Sequence, residues 1–197
     1  MRVLVVYCHP VPESFCAALR DRALAALAAA GHETRLVDLY AEGFDPVMGA
    51  EERRGYNVHE PSDDRLAPHI QALRWAQAMV FVYPTWWYGQ PAMLKGWFER
   101  VWAKDVAFTL AAEGGRIEPL MGHIEKLAVL TTCGAPRWWS FLVGHPGRKI
   151  LLRGIRALCA RRCRTLYLAK YEMDAADEPA RAAFLARVEH RLAAFFA

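Results

Sequence analysis

The stretch AMVFVYPTWWYGQPAMLKGWFERVW, residues 78–102, holds one strand, one loop and one helix in succession. Residues 78–83 are apolar without a break, which is typical of a strand buried on both faces of a parallel sheet. Beyond Pro91, apolar residues recur at helical spacing and form one stripe: Leu94, Trp97, Phe98, Val101 and Trp102. We therefore interpret the stretch as one β-loop-α unit, the repeating element of α/β proteins.

The same unit recurs on both sides of this stretch. Apolar runs predict further strands over 2–8, 32–39, 126–132 and 163–168. Helices are predicted from 12–14 to 31, over 63–75, over 147–158 and over 177–196, and loops over 40–62, 84–90, 104–125 and 133–146. The alternation predicts a single domain over 1–197, a flavodoxin-like three-layer α/β/α sandwich with a five-stranded parallel sheet of order 2-1-3-4-5.

Composition narrows the class of protein. With 197 residues and 54% hydrophobic content, the chain is long enough for one sizeable core. Five cysteines without a C-x-x-C pair argue against a disulfide framework and against a zinc site, so we expect no metal. The apolar run at the amino terminus is too short for a signal peptide, and no stretch is long enough to cross a bilayer. We therefore expect a cytoplasmic protein.

Positive charge is concentrated late in the chain. The formal net charge is +4, and many basic residues fall in one segment: Arg148, Lys149, Arg153, Arg156, Arg161, Arg162 and Arg164. Two interpretations stay open: a solvated helix face that leads into a strand, or a site for a phosphate of NADPH or of a dinucleotide flavin. No helix-turn-helix, zinc finger or RNA-binding motif accompanies the charge, so we expect no nucleic-acid partner.

The first of three candidate ligand loops follows the first strand. In an open α/β sheet a ligand binds at the carboxyl ends of the strands, near the point where the strand order reverses. Residues 9–16 lead from that edge into a helix whose free N–H groups favour an anion, and His9 and Ser14 add donors. Neither a G-x-G-x-x-G pattern nor a P-loop is present. A plain helix cap at Ser14 is the alternative to phosphate binding.

The second loop, residues 83–91, is the most informative. It has the sequence YPTWWYGQP, in which aromatic residues stand beside Gly89 and between two prolines. A flat ring system stacks on aromatic side chains, and loop amides bind the polar atoms at its edge. Packing of Trp86 and Trp87 into a core or a subunit interface is the alternative.

The third loop, residues 131–140, has the sequence TTCGAPRWWS. Gly134 allows the backbone to approach a ligand closely, and neighbouring N–H groups would hold a ring edge that becomes negative on reduction. His145 is a candidate to stabilise that charge. A helix-capping or surface histidine is the alternative.

Together these loops resemble the NAD(P)H:quinone oxidoreductase family of DT-diaphorase-like flavoproteins. That family includes bacterial modulator-of-drug-activity proteins and the ancillary oxidoreductases of potassium-efflux systems. The resemblance rests on His9 with Ser14-Phe15, on DLYA at 38–41 with FDP at 44–46, on P-x-x-W-Y-G-x-P-x-x-L-K-G-W-x-E-R-V at 84–101, and on Thr131, Thr132, Gly134 and His145.

The resemblance implies an activity and a set of site residues. A protein of this kind takes hydride from NAD(P)H onto bound FMN or FAD and passes two electrons to a quinone-like small molecule by a ping-pong mechanism. It works as a homodimer with the active site between the subunits. The implied catalytic residues are His145 and Trp139. The implied flavin-binding residues are His9, Ser14, Phe15, Cys16, Pro84, Thr85, Trp86, Trp87, Tyr88, Gly89, Thr131, Thr132, Cys133 and Gly134.

Two positions depart from the family's pattern. Cys133 replaces the first glycine of a TTGG motif, and its side chain would narrow the pocket. Trp139 replaces a tyrosine that pairs with the histidine, and an indole donates a hydrogen bond but does not exchange a proton as a phenol does. The shorter carboxyl terminus favours FMN, with FAD as the alternative. A regulatory subunit of a membrane potassium-efflux protein, with incidental reductase activity, is the alternative function.

Overall fold

The computed structural model describes residues 1–58, 61, 63–110 and 116–197. The strands are β1 (Arg2–Tyr7), β2 (Glu33–Asp38), β3 (Ala78–Pro84), β4 (Phe108–Leu110), β5 (Ile117–Pro119), β6 (Lys126–Thr132) and β7 (Arg164–Lys170). Five of them form one parallel sheet of order β2-β1-β3-β6-β7. Counted within this sheet alone, the predicted order 2-1-3-4-5 is confirmed. The remaining two, β4 and β5, form a separate antiparallel pair.

Helices cover both faces of the sheet. They are α1 (Phe15–Ala29), α2 (Ala50–Gly55), α3 (Ala67–Trp75), α4 (Ala92–Val101), α5 (Arg137–Leu142), α6 (Pro146–Lys149) and α7 (Glu178–Phe196). Side-chain caps begin the two longest: Ser14 accepts from the Ala17 N–H, and Asp177 accepts from the Ala180 N–H. Among the described residues, none of these helices is long and apolar enough to traverse a bilayer.

The hydrophobic core lies in two layers, one on each face of the sheet. Successive residues of a strand point to opposite faces. Val3 and Val5 therefore pack on the side of α1 and α7, whereas Leu4 and Val6 pack on the side of α3 and α4. All four side chains are fully buried. Because both faces are covered, ligand access is left to the edge where the strands end.

Each of the three long predicted loops contains regular structure, so that part of the prediction was wrong. Within 40–62 lies α2, which has acidic residues in its first turn and basic ones in its last and so complements the helix dipole. Within 104–125 lie β4 and β5, and within 133–146 lies α5, which follows Pro136. The hydrophobic pattern missed these elements because α2 buries no residue and because β4 and β5 have three residues each.

The helix predicted over 147–158 is present but irregular. After α6 the chain widens into a π-helical turn over Ile150–Gly154 and tightens into a 3₁₀ turn over Ile155–Leu158. Such turns inside helices are frequent at functional sites. The residue before α6, His145, has a left-handed backbone with φ 48°.

Candidate active site

The three candidate loops meet at the carboxyl edge of the sheet. The ring centroids of His9 and Trp86 lie 6.1 Å apart and join the first loop to the second. Cys16 Sγ lies 3.6 Å from Thr132 Oγ1 and joins the first loop to the third. The Thr85 N–H donates to the Thr132 carbonyl at 2.7 Å and joins the second loop to the third. The fold thus assembles one site from segments that are far apart in sequence.

The first loop ends at the start of α1, where backbone N–H groups are free. Ser14 Oγ accepts from the Ala17 N–H at 3.2 Å and lies 3.4 Å from the Tyr7 hydroxyl. Within the part of the chain that the structure describes, the N–H groups of Phe15 and Cys16 have no hydrogen-bond acceptor. Free amides at a helix start suit an anion. Ser14 is therefore a helix cap, and this role is compatible with a phosphate on the amides that follow it.

His9 is oriented by its own loop. His9 Nδ1 lies 3.0 Å from the Val11 backbone nitrogen and 3.2 Å from the Val11 carbonyl oxygen. Nδ1 accepts from the N–H in one tautomer and donates to the carbonyl in the other. Burial lowers the pKa of His9 from its ordinary value of 6.5. The ring is therefore a neutral donor at pH 7, and a nearby anion would favour its charged form.

The second loop is a tight turn with an unusual backbone. Trp86 and Gly89 exchange backbone hydrogen bonds at 3.2 and 3.0 Å, and Trp87 and Tyr88 between them have φ of 49° and 62°. Two left-handed central residues are typical of a type I′ turn, which prefers Asn and Gly there. Other residues in this conformation cost about 1–3 kcal/mol each and persist where the surroundings require them. Because Trp87 is 96% exposed, core packing of that indole is excluded.

The third loop is held from behind by the segment that follows β7. The Cys133 N–H donates to the Lys170 carbonyl at 2.8 Å, and the Cys133 carbonyl accepts from the Met173 N–H at 3.1 Å. The Cys133 side chain is buried, with Sγ 3.6 Å from Ser140 Oγ. A Cβ built on Gly134 would lie 2.5 Å from Asp174 Oδ2. The glycine therefore also allows the loop to pass close to this carboxylate.

Two hydrogen bonds connect the second loop to the segment around His145. The Gly147 N–H donates to the Tyr88 carbonyl at 3.0 Å, and the Trp139 Nε1–H donates to the Tyr88 hydroxyl at 2.7 Å. His145, Tyr88 and Thr85 line one crevice. Both proposed catalytic residues thus lie beside the flavin-binding candidates. The hydrogen-bond partner of Trp139 is the Tyr88 hydroxyl, whereas the family resemblance predicts a contact of Trp139 with His145.

His145 lies among positive charges. Partial burial, together with the charges of Arg148, Arg137 and Lys149, lowers the pKa of His145 from its ordinary value of 6.5. Its ring centroid is 6.2 Å from that of Tyr171. At pH 7 the imidazole is neutral, so it donates at one nitrogen and accepts at the other.

Sequence reasoning missed residues that hold the site together. Gln90 Nε2 donates to the Gly147 carbonyl at 2.8 Å. A Cβ built on Gly147 would lie 3.0 Å from the Tyr88 carbonyl oxygen, so only glycine fits there without a shift. Ser140 is buried and accepts the His145 N–H on its carbonyl. The motif GHPG contains Gly147, but no sequence pattern places Gln90 or Ser140 against this segment.

The edge suits a planar ring ligand that carries a phosphate. The free amides of Phe15 and Cys16 suit the phosphate. The exposed indole of Trp87 and the exposed backbone at Gly134 suit an aromatic ring with polar atoms along one side. These residues fit a flavin, since its ring system and phosphate have this chemistry.

Comparison with known proteins agrees with this geometry. A family model described as a flavodoxin-like fold matches residues 1–192. The chain therefore belongs to this flavodoxin-like family.

Among named relatives, the chain is 31% identical over 172 residues to NAD(P)H dehydrogenase (quinone) 1 of Cavia porcellus, covering 79% of this chain and 62% of that protein. The chain thus spans less than two thirds of that relative. The NAD(P)H:quinone oxidoreductase from Methanothermobacter marburgensis has a TM-score of 0.84 at 26% identity, over 100% of this chain and 98% of that one. The resemblance to NAD(P)H:quinone oxidoreductases is confirmed.

A more distant structure shares the fold. The FMN-dependent NADH-azoreductase from Bacillus anthracis, solved in complex with FMN, has a TM-score of 0.75 at 16% identity and is covered over 98% of both chains. At this identity the likeness concerns the architecture alone.

Proposed function

We propose that the protein is a flavin-dependent NAD(P)H oxidoreductase that transfers two electrons to a quinone-like small molecule by a ping-pong mechanism. One observation carries the proposal: three loops converge where free helix amides lie near a displayed aromatic turn. The relatives named as quinone-reducing NAD(P)H enzymes support the same activity. Bound flavin would supply the hydride acceptor and the electron donor.

The first loop binds and orients the cofactor's phosphate in this proposal. The amides of Phe15 and Cys16 donate to it at the positive end of α1. His9 adds a donor from Nε2 in the tautomer whose Nδ1 accepts from the Val11 N–H. The Cys16 thiol is buried against Thr132, and burial raises its pKa to about 11. Cys16 therefore contributes its backbone and not a thiolate.

The second and third loops would hold the ring. Trp87 and the backbone from Thr131 to Gly134 would supply an apolar surface and polar edge contacts. His145 would form a hydrogen bond to the ring edge and would stabilise charge that develops there. The indole of Trp139 only donates, so Tyr88 accepts with its oxygen, and the phenol proton stays available to an acceptor molecule.

We propose FMN as the cofactor, with FAD as the alternative. The free amides that begin α1 would hold one phosphate group, which matches the single phosphate of FMN. Flavin released from the purified protein by heat and separated by chromatography identifies the cofactor. Recovery of FAD alone would overturn the choice of FMN and leave the reaction unchanged.

We propose that the protein works as a homodimer with the active site between the subunits. Trp138, Phe141 and Leu142 are 66%, 75% and 69% exposed and lie next to the site. An apolar surface of this kind is typical of an interaction site. Sedimentation of the wild type and of Phe141→Arg tests this proposal: the wild type is expected to be a dimer and the variant a monomer.

An anaerobic titration with NADPH tests the proposed function. We expect the visible flavin band to bleach with one equivalent of NADPH and to return when a benzoquinone is added. If flavin binds but neither NADPH nor NADH reduces it quickly, the ancillary subunit of a potassium-efflux system becomes the better hypothesis. If no flavin binds, the three-loop site is not a flavin site.

A further inference from the structure

Two adjoining cavities lie beside His145. One has a volume of about 280 Å³ and the other of about 480 Å³. They share His145 and Arg148 as lining residues. We call their joint surface the basic basin, after the five cations that line it: Arg137, Arg148, Lys149, Arg153 and Arg187.

No acidic side chain is among the residues that line the basic basin. Every residue that lines the two cavities is described, and none of them is Asp or Glu. Within residues 1–58, 61, 63–110 and 116–197, no ion pair or side-chain hydrogen bond engages these five cations. The Arg148 guanidinium lies 5.4 Å from the Tyr167 ring centroid.

Some arginines outside the basic basin have partners. Arg22 pairs with Glu189, and Arg100 pairs with Glu52. Even within the basic segment of the sequence, Arg156 Nε donates to the Cys163 carbonyl at 2.9 Å, and Arg164 lies over Phe195. The structure therefore divides that segment: Arg156 and Arg164 have contacts of their own, whereas the cations of the basin converge without an acid.

Convergence of like charges is unfavourable in the absence of an anion. The three arginines of the smaller cavity come from separate elements, with Arg137 on α5, Arg148 on α6 and Arg187 on α7. The aromatic residues Tyr167 and Tyr171 also line this cavity. A cavity of this size accommodates a compact group and not a polymer strand, which would need a continuous exposed surface.

The donor set suits phosphate. Guanidinium groups bind phosphate oxygens with paired N–H donors, and a dianion balances more of the accumulated charge than a carboxylate does. The phenols of Tyr167 and Tyr171 add O–H donors. Two sources offer such a group near the active site, namely the 2′-phosphate that distinguishes NADPH from NADH, and a free phosphate ion.

We propose that the basic basin binds a phosphate group, supplied either by the 2′-phosphate of NADPH or by a free phosphate ion. The nucleotide source rests on the proposed function, since it requires NADPH to reach the active site. Binding of a free phosphate ion does not depend on the proposed function.

Calorimetric titration of the flavin-loaded protein tests the inference directly. The titrants are adenosine 2′,5′-bisphosphate, adenosine 5′-monophosphate and inorganic phosphate, in a phosphate-free buffer of low ionic strength so that screening stays weak. The variants are Arg148→Gln and Arg187→Gln. Arg162→Gln is the matched control, because it removes one exposed positive charge outside the basin. Circular dichroism confirms that each variant is folded.

We expect the bisphosphate to bind more tightly than the monophosphate. Arg148→Gln and Arg187→Gln should each weaken its binding about tenfold, as expected for the loss of a charged hydrogen bond, whereas Arg162→Gln should leave it unchanged. If inorganic phosphate shows the same dependence on these arginines and the bisphosphate has no advantage over the monophosphate, the site is supported with the free ion as its source. Equal weakening by all three variants, or by none, would overturn the proposal.

The outcome can be separated from that of the proposed function. Bleaching of the flavin by NADH does not involve a 2′-phosphate. A protein that NADH reduces but whose phosphate binding is insensitive to Arg148 and Arg187 contradicts the basin alone. A protein that binds phosphate through these arginines but is reduced by neither nucleotide contradicts the reductase alone.

Discussion

Trp97 and Trp87 belong to the same strand–loop–helix unit, but their surroundings differ completely. Trp97 is fully buried on α4, packs against Phe81 and Phe98, and donates from Nε1 to His69 Nδ1 at 3.4 Å. Trp87 is 96% exposed on a left-handed turn. The first indole stabilises the fold, whereas the second is held out of the core at a cost in backbone energy.

The difference separates residues that stabilise the fold from residues that are available to bind a ligand or a second subunit. Near Trp97, two polar groups have partners: His69 accepts the indole N–H, and the buried Arg100 pairs with Glu52 and Asp63. Around Trp87, an apolar ring faces solvent and nearby amides are free. An exposed large aromatic side chain on a rigid turn is a surface prepared for a ligand or a second subunit.

The largest effect is expected from Trp97→Ala. Removing a fully buried indole leaves a cavity and deprives His69 of its donor, so we expect the free energy of unfolding to fall by about 3–5 kcal/mol. Urea unfolding followed by circular dichroism measures the change. Trp138→Ala is the matched control, because that indole is 66% exposed. A loss of the same size in the control would remove the distinction between the two classes of tryptophan.

His145→Ala should affect chemistry more than binding. Removal of one preorganised hydrogen-bond donor at a developing charge is expected to slow flavin reduction by NAD(P)H about 100-fold. Flavin affinity should fall much less. Stopped-flow absorbance gives the rate, and fluorescence titration gives the affinity. His190→Ala, on the exposed part of α7, is the control. Unchanged reduction kinetics would exclude His145 from the mechanism.

Trp87→Ala should have the reverse profile of Trp97→Ala. We expect flavin affinity to fall about tenfold through loss of aromatic contact. The free energy of unfolding should change by less than about 0.5 kcal/mol, as for other exposed positions. Flavin fluorescence on titration and urea unfolding of the same preparation provide both values. A large decrease in the free energy of unfolding of Trp87→Ala would mean that this turn stabilises the fold.

Acidification should destabilise the protein through its histidines. Burial lowers the pKa values of His9, His32, His69 and His145 from 6.5. Below that value the unfolded chain binds more protons than the folded one, so the free energy of unfolding falls as pH decreases from about 7 to 5. Their contribution is fully present above pH 6.5. Urea unfolding at several pH values checks the slope, and a flat profile would contradict it.

Trp139→Phe should have the smallest effect. It removes the donor to the Tyr88 hydroxyl but keeps most of the ring, so we expect the step that reduces the quinone to slow less than about tenfold. Reduction by NAD(P)H should keep its rate. Tyr88→Phe removes both this hydrogen bond and the phenol proton, so it should slow the step at least as much. Adding Trp139→Phe to Tyr88→Phe should slow the step no further. Full additivity would show that this bond has no part in the reaction.

Much of the fold could be predicted because it depends on local pattern. Unbroken apolar runs such as 78–83 require burial on both faces, and their alternation with helices leaves few topologies. Elements without a buried face, such as α2, could not be predicted from the hydrophobic pattern. The predicted flavin-binding residues lie at one edge of the sheet, yet their individual roles remain predictions.

The sequence by itself determined that a parallel sheet is covered by helices and that aromatic and glycine-containing loops leave its carboxyl edge, because hydrophobic periodicity and turn residues act over short distances. Only the tertiary structure decided that Tyr88 receives the Trp139 hydrogen bond and that Arg137 and Arg187 join Arg148 at one cavity. Such contacts arise when the sheet brings distant segments together, and no spacing along the chain encodes the distance between them.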